Sequence, residues 1–253
     1  MRITAVATQK GGTGKTTTAL ALINGLTMAG YKALVIDADP QGNLTYSAGA
    51  ETHAGLYDAL KRGNILKYIQ QTEQGDVLAS TPELIKAQLQ YDQRGREYAL
   101  RDALAPLKRV YDHVIIDCPP GLGVLTLSAL IAATDAVIPT EAAVFSLQGL
   151  AQLYNTLQLI QQEHNPELKI AGILLNKYSA RSIAARDTRA AIEDAARQMG
   201  APVYAATIRQ GVAIQEAQLQ QENIFLNYRA KAAADLADFI KEYLKQEEGK
   251  KHE

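Results

Sequence analysis

The chain has 253 residues, and 47% of them are hydrophobic, which is enough for the core of one α/β domain. Its 26 basic and 27 acidic residues leave a formal net charge of −1, which excludes a uniformly basic nucleic-acid-binding protein, so any such contact must come from a local patch. The single cysteine, Cys118, excludes an intrachain disulfide and an all-cysteine metal site, and it favours a reduced, cytoplasmic location. We see no signal peptide and no apolar run of the ~20 residues that a membrane span needs.

Short apolar segments alternate with helical ones along the chain. This alternation predicts a doubly wound, mostly parallel α/β sheet flanked by helices, in a single domain over residues 1–246 with a charged tail at 247–253. The predicted strands lie near residues 2–7, 33–36, 76–79, 113–117, 136–139, 170–175 and 203–205. The predicted helices lie near residues 15–29, 55–60, 83–91, 97–109, 124–132, 147–163, 187–199 and 230–246. Glutamine-rich pieces at 158–162 and 215–221 are interpreted as solvated helix faces.

The first predicted strand leads into a glycine-rich loop, Lys10-Gly11-Gly12-Thr13-Gly14-Lys15-Thr16-Thr17. Its last part fits the phosphate-binding pattern GxxxxGK[ST], although the first glycine of that pattern is replaced by Gln9. The loop N–H groups and the N-terminus of the following helix form an anion site. We expect Lys15 to reach the terminal phosphates and the Thr16 hydroxyl to hold Mg²⁺.

Lys10 is a second cation at the mouth of this loop. It is either a spare surface charge or a group that reaches the nucleotide held by a second copy of the protein. In the second case it would stabilise developing charge as an arginine finger does. Such a contact would make dimerisation depend on nucleotide binding.

A pair of aspartates follows the second predicted strand. Asp37 begins the carboxyl edge of that strand, where ligands bind in open parallel sheets, and Asp39 is placed to orient or activate a water. Pro40 and Gly42 predict a turn rather than a helix at this point.

A third motif is an apolar strand that ends in Asp117. This is the Walker B arrangement, in which the aspartate holds Mg²⁺ through water together with Thr16. The stiff turn 119–121 that follows could sense the terminal phosphate. The three motifs in this order predict a P-loop NTPase that binds a nucleotide with Mg²⁺.

These motifs resemble those of the deviant Walker A ATPases, and most closely the ParA/Soj partition ATPases. The resemblance spans nearly the whole chain, and the glycine-rich loop is its most specific part. Further segments that carry it are Pro139-Thr140-Glu141, Gly149-Leu150, Gly172-Ile173-Leu174-Leu175-Asn176 and Ile214-Gln215-Glu216-Ala217.

The resemblance implies an ATP-dependent sandwich dimer in which Lys10 contacts the nucleotide across the dimer. It implies that Asp39 is the aspartate needed for hydrolysis, that Asp37 lies near Mg²⁺ and that Asn176 contacts adenine. The implied catalytic residues are Lys10, Lys15 and Asp39, and the implied metal-binding residues are Thr16, Asp37 and Asp117. The implied nucleotide-binding residues are Lys10, Gly11, Gly12, Thr13, Gly14, Lys15, Thr16, Thr17 and Asn176.

The function that the resemblance implies is DNA segregation. The ATP-bound dimer would bind DNA without sequence preference on the nucleoid, and a ParB-like centromere-binding partner would stimulate slow hydrolysis and release. Many relatives carry basic residues in the segment that corresponds to 208–214, but here only Arg209 is basic. The candidate DNA-binding residues are Lys177, Arg181, Arg186, Arg189, Arg209, Arg229 and Lys231. The alternative is scattered surface charge, diluted by the acidic residues of the segment 187–194.

Three other functions remain open at this point. A MinD-like membrane-cycling ATPase would dock through an amphipathic C-terminal helix, but we interpret that segment as packed on the domain and expect no membrane partner. An amide-transfer enzyme or ligase on the same scaffold is also compatible with the motifs. A nucleotide-dependent switch without DNA contact is the third. An iron–sulfur reductase is excluded, since one cysteine cannot supply the cluster ligands.

Overall fold

A sheet of eight strands runs through the centre of the computed structural model, which describes residues 1–90, 96–143, 146–227 and 229–250. The strands are β1 (Arg2–Val6), β2 (Ala33–Asp37), β3 (Ile69–Thr72), β4 (Gly75–Leu78), β5 (His113–Asp117), β6 (Asp135–Glu141), β7 (Lys169–Asn176) and β8 (Val203–Ile208). Their order across the sheet is β3-β4-β2-β5-β1-β6-β7-β8. The β3–β4 pair is antiparallel, and the other neighbours are parallel. The predicted fold class is confirmed.

Helices cover both faces of this sheet. They are α1 (Lys15–Met28), α2 (Asn43–Ser47), α3 (Leu56–Arg62), α4 (Leu84–Gln90), α5 (Ala99–Leu104), α6 (Val124–Ala132), α7 (Ser146–Glu163), α8 (Ile183–Gln198), α9 (Val212–Gln220) and α10 (Lys231–Lys250). Helices α3 to α8 pack on one face and α1, α2, α9 and α10 on the other. Successive strand residues alternate between the two cores: Ile116 faces the first and Ile115 the second.

The strand order fixes where a ligand can bind. Strand β1 lies between β5 and β6, and the chain builds the sheet first on one side of β1 and then on the other. Ligands of open α/β sheets bind beyond the carboxyl ends of the strands at such a point. The register pairs Asp117 with both Val6 and Asp37, and Glu141 with Asn176. These side chains therefore lie at one edge of the sheet.

Helix α10 packs against the sheet along its apolar side. Phe239 and Tyr243 are fully buried in the second core, and Glu242 accepts hydrogen bonds from the N–H groups of Ala205 and Ala206 in the edge strand β8. The prediction that this helix is packed on the domain is confirmed. No helix within the described ranges is long and apolar enough to cross a membrane.

The structure differs from the predicted elements in a few places. Strand β3 and helices α2 and α9 were not predicted. Strand β3 and helix α2 have only four and five residues, and α9 buries one side chain, Ala217. Helix α8 begins at Ile183 rather than 187, since Ser182 caps it by accepting a hydrogen bond from the Ala185 N–H at 3.2 Å. The predicted helix 97–109 is α5 flanked by short 3₁₀ turns. Helix α10 continues to Lys250, past the domain boundary predicted at residue 246. Two predictions extend outside the described ranges: the last position, 91, of the helix predicted at 83–91, and residues 251–253 of the predicted tail.

Candidate functional site

The glycine-rich loop joins β1 to α1 at the reversal point of the sheet. Gly12 and Gly14 have φ values of 77° and 93°, a region that L side chains rarely adopt. A Cβ atom on Gly14 would lie only 2.5 Å from Asn176 Nδ2, so this position also requires glycine for space. Helix α1 begins at the next residue, Lys15, and its N-terminus adds partial positive charge to the loop. The loop therefore has a conformation that suits an anion site, and phosphate binding by its residues stays a prediction.

A cavity of about 680 Å³ opens over this loop. Its walls come from the loop and the start of α1, from residues within the segment 39–47, and from residues within the segment 208–219. Its volume is in the range of small-molecule and cofactor sites. The wall formed by α9 was not predicted as part of the site, because its glutamine-rich sequence indicates only a solvated face.

Thr16 and Asp117 meet at the floor of the site. The Thr16 hydroxyl donates to Asp117 Oδ2 at 2.7 Å, and the other carboxylate oxygen, Oδ1, is buried without a hydrogen-bond partner among the described residues. Burial raises the pKa of Asp117 well above its usual value, and the charge of Asp37 raises it further. A hydroxyl and a carboxylate with a free oxygen are the hard ligands that Mg²⁺ takes together with phosphate oxygens. These residues therefore fit a Mg²⁺ ion.

Within the described ranges there is no cluster of three or more His, Cys, Asp or Glu side chains that could hold a metal ion. A cation at Asp117 would need oxygen ligands from elsewhere. Mg²⁺ commonly keeps waters and binds through one or two carboxylates plus substrate phosphates. The sparse donor set therefore suits a metal that arrives with a nucleotide.

Asp37 organises the loop that follows β2. Its Oδ1 accepts from the Asp39 N–H at 3.1 Å, and its Oδ2 accepts from the Thr45 N–H at 2.8 Å and the Thr45 hydroxyl at 2.7 Å. Burial raises the pKa of Asp37 to about 6, although the Thr45 hydrogen bonds lower it. Both carboxylate oxygens are thus used within the protein. A role of Asp37 near Mg²⁺ stays a prediction.

Asp39 lies at the wall of the cavity and is 9% exposed. Its Oδ1 accepts from the Gln41 N–H at 3.0 Å, which fixes the side chain above the predicted turn at Pro40. Gly42, with a φ of 67°, precedes the start of α2. Asp39 thus lines the cavity, and its role in orienting a water stays a prediction.

The two lysines of the loop have different surroundings. Lys15 is 7% exposed and lines the cavity, and its Nζ lies 3.5 Å from the carbonyl oxygen of Lys10. The Lys10 side chain is 51% exposed and lies outside the cavity wall, with its Nζ 3.6 Å from Glu141 Oε2. The Lys15 side chain is thus part of the cavity wall of its own chain, whereas Lys10 points to Glu141; the roles of both lysines toward a nucleotide stay predictions.

Glu141 was not predicted as a site residue, although the sequence places it at the end of a strand. One carboxylate oxygen lies 2.8 Å from Lys177 Nζ and the other faces Lys10. Lys177 Nζ also donates to the Gly12 carbonyl at 2.7 Å, and Asn176 Nδ2 donates to the Thr13 carbonyl at 2.8 Å. Both residues thus contact the loop backbone. An adenine contact by Asn176 stays a prediction.

The candidate DNA-binding residues fall into separate groups. Lys177 and Arg209 line the cavity, and the Arg209 guanidinium pairs with Asp235 through two hydrogen bonds of 2.6 and 2.8 Å. A second group lies on or just before α8, and a third lies at the start of α10 on the opposite face of the sheet. The second group is Arg181, Arg186 and Arg189, and the third is Arg229 and Lys231.

The early start of α8 places Arg186 and Arg189 on one side of the same helix. Arg186 Nη1 donates to the Ala180 carbonyl at 2.8 Å, and Arg189 Nε lies 2.7 Å from Glu193. Arg181 and Arg186 are exposed, whereas Arg189 is half-buried. A role in DNA binding stays a prediction for all seven residues.

Comparisons with known proteins agree with this geometry. A family model described as an AAA domain matches residues 1–170. The chromosome partitioning protein ParA of Myxococcus xanthus is 43% identical over 188 residues, which span 72% of this chain and 66% of that protein. The sporulation initiation inhibitor protein Soj of Bacillus subtilis is 36% identical over 249 residues, 95% of this chain and 97% of that protein. The chain belongs to the ParA/Soj family. The resemblance seen in the sequence motifs is thereby confirmed.

A solved structure is similar to this chain in fold as well as in sequence. The structure described as cobyrinic acid a,c-diamide synthase from Mycobacterium smegmatis, with bound ADP and magnesium, has a TM-score of 0.82 to this ParA/Soj-family chain. The two are 34% identical, and the match covers 95% of this chain and 93% of the other. That protein holds a nucleotide and Mg²⁺ on the same fold.

Proposed function

We propose that this protein is a Mg²⁺-dependent ATPase that acts as a partition switch: it binds ATP, dimerises, binds DNA without sequence preference, and is released by slow hydrolysis. The observation that carries the proposal is the Thr16–Asp117 pair, in which a hydroxyl and a buried carboxylate with a free oxygen lie next to the glycine-rich loop. The relatives support the biological role, because those named ParA and Soj include chromosome partitioning proteins.

Phosphate binding is the first step. The loop N–H groups, the N-terminus of α1 and the nearly buried Lys15 together offset the negative charge of the terminal phosphates. Thr16 and Asp117 would hold Mg²⁺, which would neutralise part of the phosphate charge. Bound Mg²⁺ would give the buried Asp117 carboxylate a partner of opposite charge. This favours the protein with nucleotide and Mg²⁺ bound over the empty protein.

Hydrolysis requires an oriented water. Asp39 presents a carboxylate at the cavity wall and would accept a proton or a hydrogen bond from the attacking water. Positioning of this kind, rather than covalent chemistry, is the main contribution of a protein to phosphoryl transfer. We expect the basal rate to be slow and to rise when a partner protein binds.

Lys10 would complete the site from the second subunit. Its half-exposed side chain lies outside its own cavity, and among the described residues it makes one ion pair, at 3.6 Å, which a phosphate could replace. A lysine supplied in this way stabilises the transition-state charge as an arginine finger does. Dimerisation would then require ATP.

DNA binding would follow from dimerisation. The α8 group of arginines offers phosphate contacts without base contacts, which gives sequence-independent and salt-sensitive binding. Two copies in one dimer would double the number of contacts. A ParB-like centromere-binding protein would stimulate hydrolysis and return the protein from the nucleoid to the cytoplasm as a monomer.

DNA co-sedimentation with ATP, ADP or no nucleotide at two salt concentrations tests this proposal. We expect binding only with ATP and Mg²⁺, the same for unrelated sequences and much weaker at the higher salt. Arg186→Gln/Arg189→Gln should weaken binding and flatten its salt dependence, while Lys108→Gln, on the exposed turn that follows α5, serves as a matched control. DNA binding that is absent under all conditions, or equal with and without ATP, would contradict the proposal.

A second function is favoured by the name of the Mycobacterium smegmatis structure, which describes an amide-forming synthase. Such an enzyme would consume ATP to activate a carboxylate. Because Cys118 is fully buried, and burial raises the pKa of its thiol, it is unsuited to act as a nucleophile that releases ammonia from glutamine. ATP turnover that depends on an added carboxylic acid and ammonia, rather than on DNA or a protein partner, would favour this alternative.

Membrane cycling through α10 has no support in the packing, because the apolar side of this helix is buried against β8 and α1. Sedimentation with liposomes of anionic lipid in the presence of ATP tests it directly. We expect the protein to stay in the supernatant.

A further inference from the structure

The end of β7 holds two consecutive carbonyl groups of the glycine-rich loop. Asn176 Nδ2 donates to the Thr13 carbonyl at 2.8 Å, and Lys177 Nζ donates to the Gly12 carbonyl at 2.7 Å. Across a planar trans peptide, the carbonyl of one residue and the N–H of the next point in opposite directions. The two bonds therefore turn the N–H groups of Thr13 and Gly14 away from the donors on β7. N–H groups of this loop are the ones that surround a bound phosphate.

Lys177 is placed for this contact by its backbone and by an anchor. Its φ of 52° lies in the left-handed region, which is uncommon for a non-glycine residue and persists only where the surroundings fix it. Its ammonium lies 2.8 Å from Glu141 Oε1, at the end of the neighbouring strand β6. The side chain therefore bridges a carboxylate on one strand and the Gly12 carbonyl.

We propose that Lys177 is a positioning residue of the nucleotide site, which fixes the Gly12 carbonyl and thereby sets the loop N–H groups to receive phosphate. This inference rests on the proposed nucleotide-binding function. It gives Lys177 a role different from the DNA contact predicted from the sequence, because its ammonium is engaged by Glu141 and the loop. Asn176 acts in the same way on the next carbonyl.

A contact to the loop has a consequence that a contact to the terminal phosphate would not have. Since ADP and ATP use the same loop, the loss of the Lys177 contact should weaken both nucleotides equally. The loss of a hydrogen bond from a charged donor predicts an affinity lower by about tenfold or more, and tenfold corresponds to about 1.4 kcal/mol. A direct contact to the γ-phosphate would instead weaken ATP alone.

The experiment measures the affinity of fluorescent ADP and ATP with Mg²⁺, without DNA, for wild type and two variants. Lys177→Met removes the charge and keeps the length of the side chain, and Lys177→Asn suits the left-handed backbone but cannot reach the loop. We expect both variants to lose about tenfold in affinity for both nucleotides. Lys169→Met, which makes the same change at the exposed start of β7, should keep wild-type affinity.

A second readout separates positioning from direct contact with the nucleotide. In nucleotide-free protein, the amide ¹⁵N signal of Thr13 should shift in both Lys177 variants and not in Lys169→Met, because its peptide carbonyl loses the ammonium. An unchanged signal, a loss confined to ATP, or no loss of affinity would overturn the inference while leaving the proposed function intact. If the wild-type protein binds neither nucleotide, the proposed function itself fails.

Discussion

Replacement of Asp117 by asparagine should have opposite effects on the protein with and without a nucleotide. The carboxylate is buried, its Oδ1 has no hydrogen-bond partner in the described part of the chain, and burial together with the charge of Asp37 raises its pKa. A buried polar group left unsatisfied costs about 1–3 kcal/mol, and more when it is charged. Asp117→Asn removes the charge and keeps an oxygen for the Thr16 hydroxyl. We therefore expect the nucleotide-free variant to be more stable than wild type by about 1–3 kcal/mol.

For a chain of this length, 1 kcal/mol changes Tm by about 2–4 °C, so the increase should be on the order of 5 °C. With Mg²⁺ and a nucleotide bound, the wild type should instead be more stable than Asp117→Asn. A ligand at a hundred times its Kd stabilises the wild type by about 2.7 kcal/mol, and the variant should lose the part of this gain that requires Mg²⁺.

Thermal unfolding of both proteins, with and without Mg²⁺ and ADP, measures the two effects. Asp102→Asn serves as a control, because this aspartate is exposed and its ion pair with Arg101 contributes little. The reasoning is refuted if Asp117→Asn is less stable than wild type without nucleotide and still shows the full Mg²⁺-dependent increase in Tm.

Three further predictions follow from the site. Lys10→Ala should keep nucleotide affinity but remain monomeric in light scattering with ATP; unchanged dimerisation would contradict a lysine supplied by the second subunit. Asp39→Ala should form an ATP-bound dimer that binds DNA and does not hydrolyse, as judged by phosphate release; a variant that stays monomeric with ATP would show that the role of Asp39 is different. Because the folded protein raises the pKa of Asp37 from 3.8 to about 6, its contribution to stability is present below pH 4 and is lost as the pH rises through 6. Urea unfolding should therefore show that the wild type exceeds Asp37→Asn in stability by less at pH 7 than at pH 4.5. A stability difference that grows as the pH rises would contradict the raised pKa of Asp37.

The parts of the site that the sequence predicts are those carried by short local motifs. The loop before α1 follows from its glycines and from the order of strand, loop and helix. The contact between Thr16 and Asp117 follows from the parallel pairing of β1 with β5. Strand β1 leads into the loop before Thr16, and β5 ends in Asp117, so the two residues lie at the same carboxyl edge of the sheet. Local patterns of this kind suffice whenever strand, turn and helix each carry their own signal.

The parts that the sequence does not predict depend on contacts between distant segments. Glu141 and Lys177 lie 36 positions apart, and only the β6–β7 pairing brings them to the same loop. A list of basic residues cannot show that Lys177 and Arg209 face the cavity while the α8 arginines lie elsewhere. Helix α9 escapes prediction for a related reason: Ala217 is its one buried residue, so its packing leaves little trace in the sequence.

The most direct test is the mass of the wild-type protein in solution, measured by light scattering with Mg²⁺ and either ATP or ADP. We expect a mass near 27.4 kDa with ADP and about twice that value with ATP, because in the proposed mechanism Lys10 would complete the site only across two subunits. A protein that binds ATP at the glycine-rich loop and still has a mass near 27.4 kDa would contradict a nucleotide-dependent dimeric switch.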